Sequence, residues 1–292
     1  TEQTFDPATL GDDPVASFVA RDADIPGITP GAERSVVWAG EEGAPTESVL
    51  VYLHGFSATA QEIRPVPERL SEELGANLVF TRLTGHGLDG AAMAEATVAD
   101  WMYDVDEALS VARTMGNRII VIGTSTGGTL ATMAAATGRD IDAVILISPN
   151  FRINDPTAFV LTLPGARSWV PALFGRTRSW EPASADQALY WTQSYPTEAL
   201  FPMAALVEAT TGLDHSAIST PALFYFSETD QVVDPRKTHD IAGAWGGPAT
   251  VMTVEIGPED DPDSHVIAGD IMSPGRNDAT VSDLSNWITN LE

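Results

Sequence analysis

Short unbroken apolar runs alternate along this chain with longer stretches in which apolar residues return every three or four positions. The runs at residues 49–53, 78–80, 119–122, 144–147 and 223–226 are rich in β-branched or aromatic residues. A run apolar at every position suits a strand covered on both faces. A sixth such strand is expected over residues 250–256, and an antiparallel first strand over 36–38. Helices are expected over 97–115, 126–136, 235–244 and 279–291. In the first of these Val98, Trp101, Met102, Val105, Leu109 and Ala112 fall on one face. Asp234 followed by Pro235 reads as an N-cap and the proline of a first helical turn. The alternation predicts an α/β fold with a mostly parallel central sheet and helices on both faces. In such a fold ligands sit at the carboxyl ends of the strands.

One stretch breaks the pattern. Residues 151–216 hold no strong strand signal, yet they carry six of the chain's 20 prolines and nine of its aromatic side chains. The concentration predicts an insertion with its own apolar surface, a mainly helical cap between two parts of a core at 1–150 and 217–292. Phe159, Trp169, Phe174, Trp180 and Trp191 are expected to wall an apolar, substrate-binding pocket beneath it.

Composition narrows the chemistry. With 292 residues and 43% hydrophobic content the chain can bury a sizeable core. Asp plus Glu number 41 against 15 Lys plus Arg, a net charge of −26, which repels phosphate backbones and anionic bilayers. No nucleic acid partner is expected. Lys237 is the one lysine, so the surface is acid-rich and lysine-poor, as suits high salt. Cysteine is absent, which removes thiolate nucleophiles, disulfides and cysteine zinc sites together. No apolar run approaches the roughly 18 residues of a membrane span, so no stable membrane insertion is expected. The polar start at Thr1 is no secretory signal. A soluble protein is expected, cytoplasmic in the first instance. Export stays open because residue 1 is not Met, and oligomeric state is left undefined.

The most informative segment is residues 119–128, a buried run leading into Gly123-Thr124-Ser125-Thr126-Gly127 and then a helix. Strand, sharp turn and helix in that order expose the serine at the sheet's top edge, provided the flanking positions are glycine. A serine hydroxyl is a poor nucleophile alone, so it needs a base and a group that orients the base. The histidines are His54, His86, His215, His239 and His265. His265 follows the last expected strand, where a loop reaches the sheet's top. His215 and His239 read as solvated surface positions. No two histidines have the H-E-x-x-H spacing, and no metal or cofactor is expected. The acidic run at 259–263 lacks the calcium-loop pattern and reads as a solvated loop.

With this elbow, the Leu53-His54-Gly55-Phe56 segment and the Leu83-Thr84-Gly85-His86-Gly87 turn, the chain resembles the α/β-hydrolase fold. Within it, the chain is similar to the capped serine carboxylesterases that include monoacylglycerol lipases and lysophospholipases. One departure is Thr124, where the monoglyceride lipases usually carry histidine. The resemblance implies Ser125 as nucleophile, His265 as base and Asp230 as acid, in the order this fold uses. Asp234 is a competitor better explained as a helix cap. It also implies His54 and His86 as loop props, and the backbone N–H groups of Phe56 and Thr126 as the oxyanion hole. The implied activity is hydrolysis of carboxylic esters bearing an apolar group, through an acyl-enzyme. An acyltransferase or thioesterase with the same three residues is one rival, and a non-catalytic small-ligand receptor on the same fold is another.

Overall fold

The computed structural model describes residues 5–291; the first four residues, Thr1 among them, and Glu292 lie outside it. The strands are β1 (Ser35–Val37), β2 (Thr46–Leu53), β3 (Asn77–Phe80), β4 (Gly116–Thr124), β5 (Ala143–Ile147), β6 (Thr177–Ser179), β7 (Ser194–Pro196), β8 (Ala222–Phe226) and β9 (Ala249–Thr253). The helices are α1 (Pro14–Ala20), α2 (Val66–Leu74), α3 (Gly90–Glu95), α4 (Val98–Met115), α5 (Thr126–Ala136), α6 (Ala166–Phe174), α7 (Ala185–Tyr190), α8 (Leu200–Thr211), α9 (Pro235–Ala244) and α10 (Asn277–Thr289).

Seven strands form one sheet in the order β1-β3-β2-β4-β5-β8-β9. Only β1 runs antiparallel to its neighbour. The apolar runs divide by the two-residue period of a strand. Val49, Val51 and Leu53 face a core shared with α4 and α5, through side chains such as Trp101, Val105 and Leu130. Leu50 and Tyr52 face a second core shared with α2 and α10, through Leu70, Leu284 and Ile288. Burial on both sides is why these runs contain no polar position.

Helix ends follow local chemistry. Thr97 starts α4 with a reciprocal capping box: its hydroxyl accepts from Asp100 N at 3.2 Å, and the Asp100 carboxylate accepts from Thr97 N at 2.9 Å. Asp234 caps α9 through Arg236 N at 3.1 Å, as its Asp-Pro signature predicts. The last strand stops at Thr253 rather than 256, and the last helix spans 277–289 rather than 279–291. Pro67 in the first turn of α2 occupies a position whose N–H group would have no helical acceptor.

The chain leaves β2 outward to β3, then returns past β2 to β4 and proceeds the other way. The carboxyl ends of β2 and β4 are thus the point where strand order reverses, the place where such sheets bind ligands. Between β5 and β8 lies the inserted segment with α6, α7 and α8. It also contains a two-stranded ribbon, β6 paired antiparallel with β7. The sequence reading missed these strands because each is three residues long and β6 is exposed throughout. α8 is anchored differently from the rest of the insertion, since Met203 and Leu206 join the main core.

Candidate active site

Ser125 sits between β4 and α5 with φ 52° and ψ −115°, a conformation that side-chain-bearing residues rarely adopt. The turn is tight enough to forbid neighbouring side chains. A Cβ on Gly123 would lie 2.4 Å from Gly127 O, and one on Gly127 would lie 2.0 Å from Leu53 O. Ser125 is thereby pressed against the end of β2, and its hydroxyl stands at the start of α5. There the N–H groups of the first turn, Thr126 first, have no carbonyl one turn back.

Three side chains from distant parts of the chain meet there. His265 Nε2 lies 3.0 Å from Ser125 Oγ, and His265 Nδ1 lies 2.8 Å from Asp230 Oδ2. The other Asp230 oxygen accepts from Val232 N and Val233 N at 2.8 and 2.9 Å, so the carboxylate is held by its own turn after β8. Burial opposes a charged imidazole, but the Asp230 carboxylate, helped by Asp261 and Glu62, lifts His265 above the ordinary histidine value.

The loop carrying His265 is tied down by a residue the sequence reading placed in solvent. Asp261 is buried; one oxygen accepts from His265 N and Val266 N at 3.0 and 2.8 Å, and the other from Asp263 N at 3.1 Å. Asp260, also buried, binds Gly257 N and Gly275 N. The acidic run is therefore half internal, because these two carboxylates satisfy loop amides that have no strand partner.

The Phe56 segment is braced from both sides. His54 Nε2 accepts from Leu83 N at 3.0 Å, which leaves the proton on Nδ1, 2.9 Å from Gly55 O. That carbonyl and the Phe56 N–H share one trans peptide plane and point in opposite directions, so the histidine sets where the Phe56 N–H aims. Leu83 belongs to the turn over residues 83–87, which rests on a buried ion cluster. Arg34 pairs with Asp22 and Asp104, and Arg82 with Asp22. Asp104 also accepts from Thr84 N at 2.6 Å, and Arg82 donates to His86 O at 3.1 Å.

On the other side is Glu62, a residue that no motif in the chain singles out. Its Oε1 accepts from Gly55 N at 2.6 Å and from Tyr52 OH at 2.8 Å, and Tyr52 OH lies 2.8 Å from Thr124 Oγ1. One buried carboxylate thus joins the Phe56 loop to the residue preceding Ser125, and Thr124 has a partner that explains its hydroxyl. Burial pushes Glu62 up to about 7, against the Tyr52 and Gly55 hydrogen bonds. His86 is buried and pushed down to about 4, and packs edge-on against Phe56 and Trp101. His239 pairs with Glu228 at the surface, as expected. His215 does not: it is buried, stacked on Trp245.

A cavity of about 500 Å³ opens above Ser125 and His265, lined by both and by Phe56. Phe174, Trp180 and Trp191 also line it. Phe159 and Trp169 do not. Phe159 is 62% exposed and borders a second hollow; it sits on the outer side of a short turn, Ala158–Thr162. Trp169 packs against the cap's own small core of Ala166, Val170 and Phe201, with its indole N–H on Pro164 O at 3.2 Å. An insertion of this size spends part of its aromatic content on holding itself together. Tyr195 and Met203 line the cavity unforeseen, one on a ribbon with no strand signal and the other on a helix the sequence did not delimit. Among the described residues no group of three or more His, Asp or Glu side chains stands ready to hold a metal, and no helix is long and apolar enough to cross a membrane.

Residues 44–254 match the Hydrolase_4 family, described as serine aminopeptidase, S33. A thermostable monoacylglycerol lipase of Bacillus sp. (strain H-257) is 29% identical over 194 residues, covering 66% of this chain and 74% of that protein. Among solved structures, a metagenome-derived lipolytic enzyme from the LipS and LipT pair superposes with a TM-score of 0.73 at 19% identity, over 90% of this chain and 100% of that one. The monoacylglycerol lipase of Paleococcus ferrophilus gives 0.63 at 15% identity, over 87% and 97%. At these identities the structural likeness speaks for the α/β-hydrolase fold, and the match over residues 44–254 for descent: the chain belongs to the Hydrolase_4 family of serine hydrolases.

Proposed function

We propose that the chain hydrolyses carboxylic esters of small to medium size through an acyl-enzyme on Ser125. The observation that carries this reading is the unbroken hydrogen-bonded series from Ser125 Oγ through His265 to Asp230 at the floor of the cavity. His265 Nε2 takes the hydroxyl proton as Oγ attacks the ester carbonyl, and Asp230 holds the imidazole in the tautomer that leaves Nε2 open. The Phe56 and Thr126 amides receive the oxyanion, each such donor being worth roughly two to three powers of ten in turnover. The alcohol leaves with the proton from His265. Water, activated by the same nitrogen, then releases the acid.

Phe174, Trp180 and Trp191 support an apolar acyl or alcohol group as the usual guest. Residues 151–216 form the cap in this reading, rooted on the core by α8, with 1–150 and 217–292 as the hydrolase core. The charge of −26 supports an enzyme that meets its ester in water. The family's description names an aminopeptidase, whose substrate presents an α-ammonium group. Of the three carboxylates lining the cavity that could receive it, Asp155 and Asp261 already accept hydrogen bonds from Thr157 and from loop amides, which leaves the exposed Asp263 and favours esters. Ser125→Ala should lower turnover of p-nitrophenyl butyrate by about four orders of magnitude or more. Retained turnover, or faster cleavage of alanine p-nitroanilide than of the ester by the unaltered enzyme, would overturn the reading.

A further inference from the structure

On the cap ribbon two hydrogen-bond donors line the cavity with no hydrogen-bonded protein acceptor among the described residues. Arg178 of β6 and Tyr195 of β7 are register partners. Directly opposed residues of an antiparallel pair project from the same face, with Cβ atoms about 4.5–5.5 Å apart. Both line the cavity that contains Ser125 and His265. The Tyr195 ring lies edge-on to Phe56 with centroids 5.4 Å apart, so the pair stands next to the residue whose amide flanks the nucleophile. Among the described residues neither the guanidinium nor the phenol has a hydrogen bond or an ion pair within 4.0 Å.

Arg178 is exposed on β6 and, like Arg118 and Arg176, has no ion pair among the described residues, although acids outnumber bases 41 to 15. Several other arginines do meet carboxylates: Arg64 with Glu68, Arg82 with Asp22, Arg139 with Asp106 and Arg236 with Asp234. Of the carboxylates on the cavity wall, Asp263 is exposed and its side chain accepts no hydrogen bond among the described residues, Asp155 is near enough to feel the Arg178 charge, and Asp155 and Asp261 are engaged by other groups. Asp155 Oδ1 accepts from the amide and the hydroxyl of Thr157, both at 2.7 Å, and the two Asp261 oxygens hold three amides. A planar guanidinium and a phenolic O–H beside each other match the two oxygens of a carboxylate.

We propose that Arg178 and Tyr195 form a subsite for a carboxylate carried by the ester itself, so that the preferred substrates are anionic monoesters. These are half-esters of dicarboxylic acids or esters of carboxyl-bearing alcohols, with the apolar part against Trp180 and Trp191. The inference rests on the esterase reading and adds the substrate class to it. The molecule's negative charge does not oppose such a guest at contact, because interactions between exposed charges are largely screened beyond about 8 Å at physiological ionic strength.

Two matched pairs of esters test it. In one the carboxylate is on the acyl side, p-nitrophenyl hemiglutarate against p-nitrophenyl valerate. In the other it is on the alcohol side, p-(butyryloxy)benzoate against its methyl ester. The quantity read is the ratio of kcat/KM for the charged over the neutral member, per site titrated with an organophosphonate and with spontaneous hydrolysis subtracted. In at least one pair Arg178→Gln should lower that ratio about tenfold or more, chiefly through KM, the loss expected for one charge-assisted contact. Arg178→Glu should lower it further, and Tyr195→Phe less. A ratio that stays within about twofold in both arginine variants, for both pairs, overturns the subsite while leaving the esterase intact. An unaltered enzyme that cleaves no member of either pair overturns the esterase reading and the subsite with it.

Discussion

His265 must be neutral to accept the serine proton, so its raised pKa has a definite sign: activity is present above that value and lost as pH falls through it. The acid limb of kcat/KM should therefore have its midpoint above the ordinary imidazole value of about 6.5. Glu62 contributes to that position, since its carboxylate faces His265 as well as Gly55 and Tyr52. Glu62→Gln keeps an acceptor for Gly55 N but removes the charge, and should move the midpoint down. Glu62→Ala leaves the Gly55 amide without its partner and releases the Phe56 loop, a misplacement of the kind that costs about a hundredfold in kcat. A pH-rate series on the three proteins checks both, and an unmoved midpoint in Glu62→Gln would show that Glu62, pushed up to about 7, is neutral where His265 titrates or that its charge does not reach the imidazole.

Among the elements, the loop between β9 and α10 must hold an imidazole at 3.0 Å from an oxygen on another strand without any strand pairing of its own. Asp261 supplies that stiffness by gathering the amides of Asp263, His265 and Val266. Asp261→Asn presents N–H groups where amides now donate, so at least one buried amide is left without an acceptor. The cost should be about 1–3 kcal/mol of folding stability. Turnover should fall by roughly one to two powers of ten as the imidazole loses its fixed place. Paired measurement of the unfolding midpoint and of the phosphonate labelling rate of Ser125 separates the two effects. A variant with unchanged labelling would assign Asp261 to stability alone.

The whole molecule carries a charge of −26, with one lysine among its bases. Self-repulsion at that charge weakens the compact state at low ionic strength, and salt relieves it. The melting temperature should rise as salt increases from millimolar to molar, and activity should persist there; a flat or falling curve would remove salt adaptation as the meaning of the surface. The buried cluster of Asp22, Arg34, Arg82 and Asp104 should be nearly indifferent to salt, because solvent ions do not reach it. Replacing one of its members costs about 3–5 kcal/mol by leaving a buried charge unpaired. That loss would also be felt at the Phe56 loop, which the cluster supports through the turn at 83–87 and His54.

Periodicity determined the architecture. A strand apolar at every position can only be an interior strand, and a run such as 119–122 followed by Gly123-Thr124-Ser125-Thr126-Gly127 leaves little choice of geometry, because Gly123 and Gly127 sit where no Cβ fits. The elbow and the sheet were therefore legible without coordinates, as was the position of His265 after the last strand. Other features depend on which groups happen to meet. Glu62 and Asp261 look like surface acids in the sequence, and only the tertiary structure surrounds them with amides. Trp169 and Trp180 are alike in composition, yet one fills the cap and the other faces the cavity. Arg178 and Tyr195 are 17 positions apart and come together solely through the register of a ribbon that no apolar run announces. Local propensity writes the elements into the chain, whereas burial, satisfied amides and cross-strand neighbours are properties of the assembled fold.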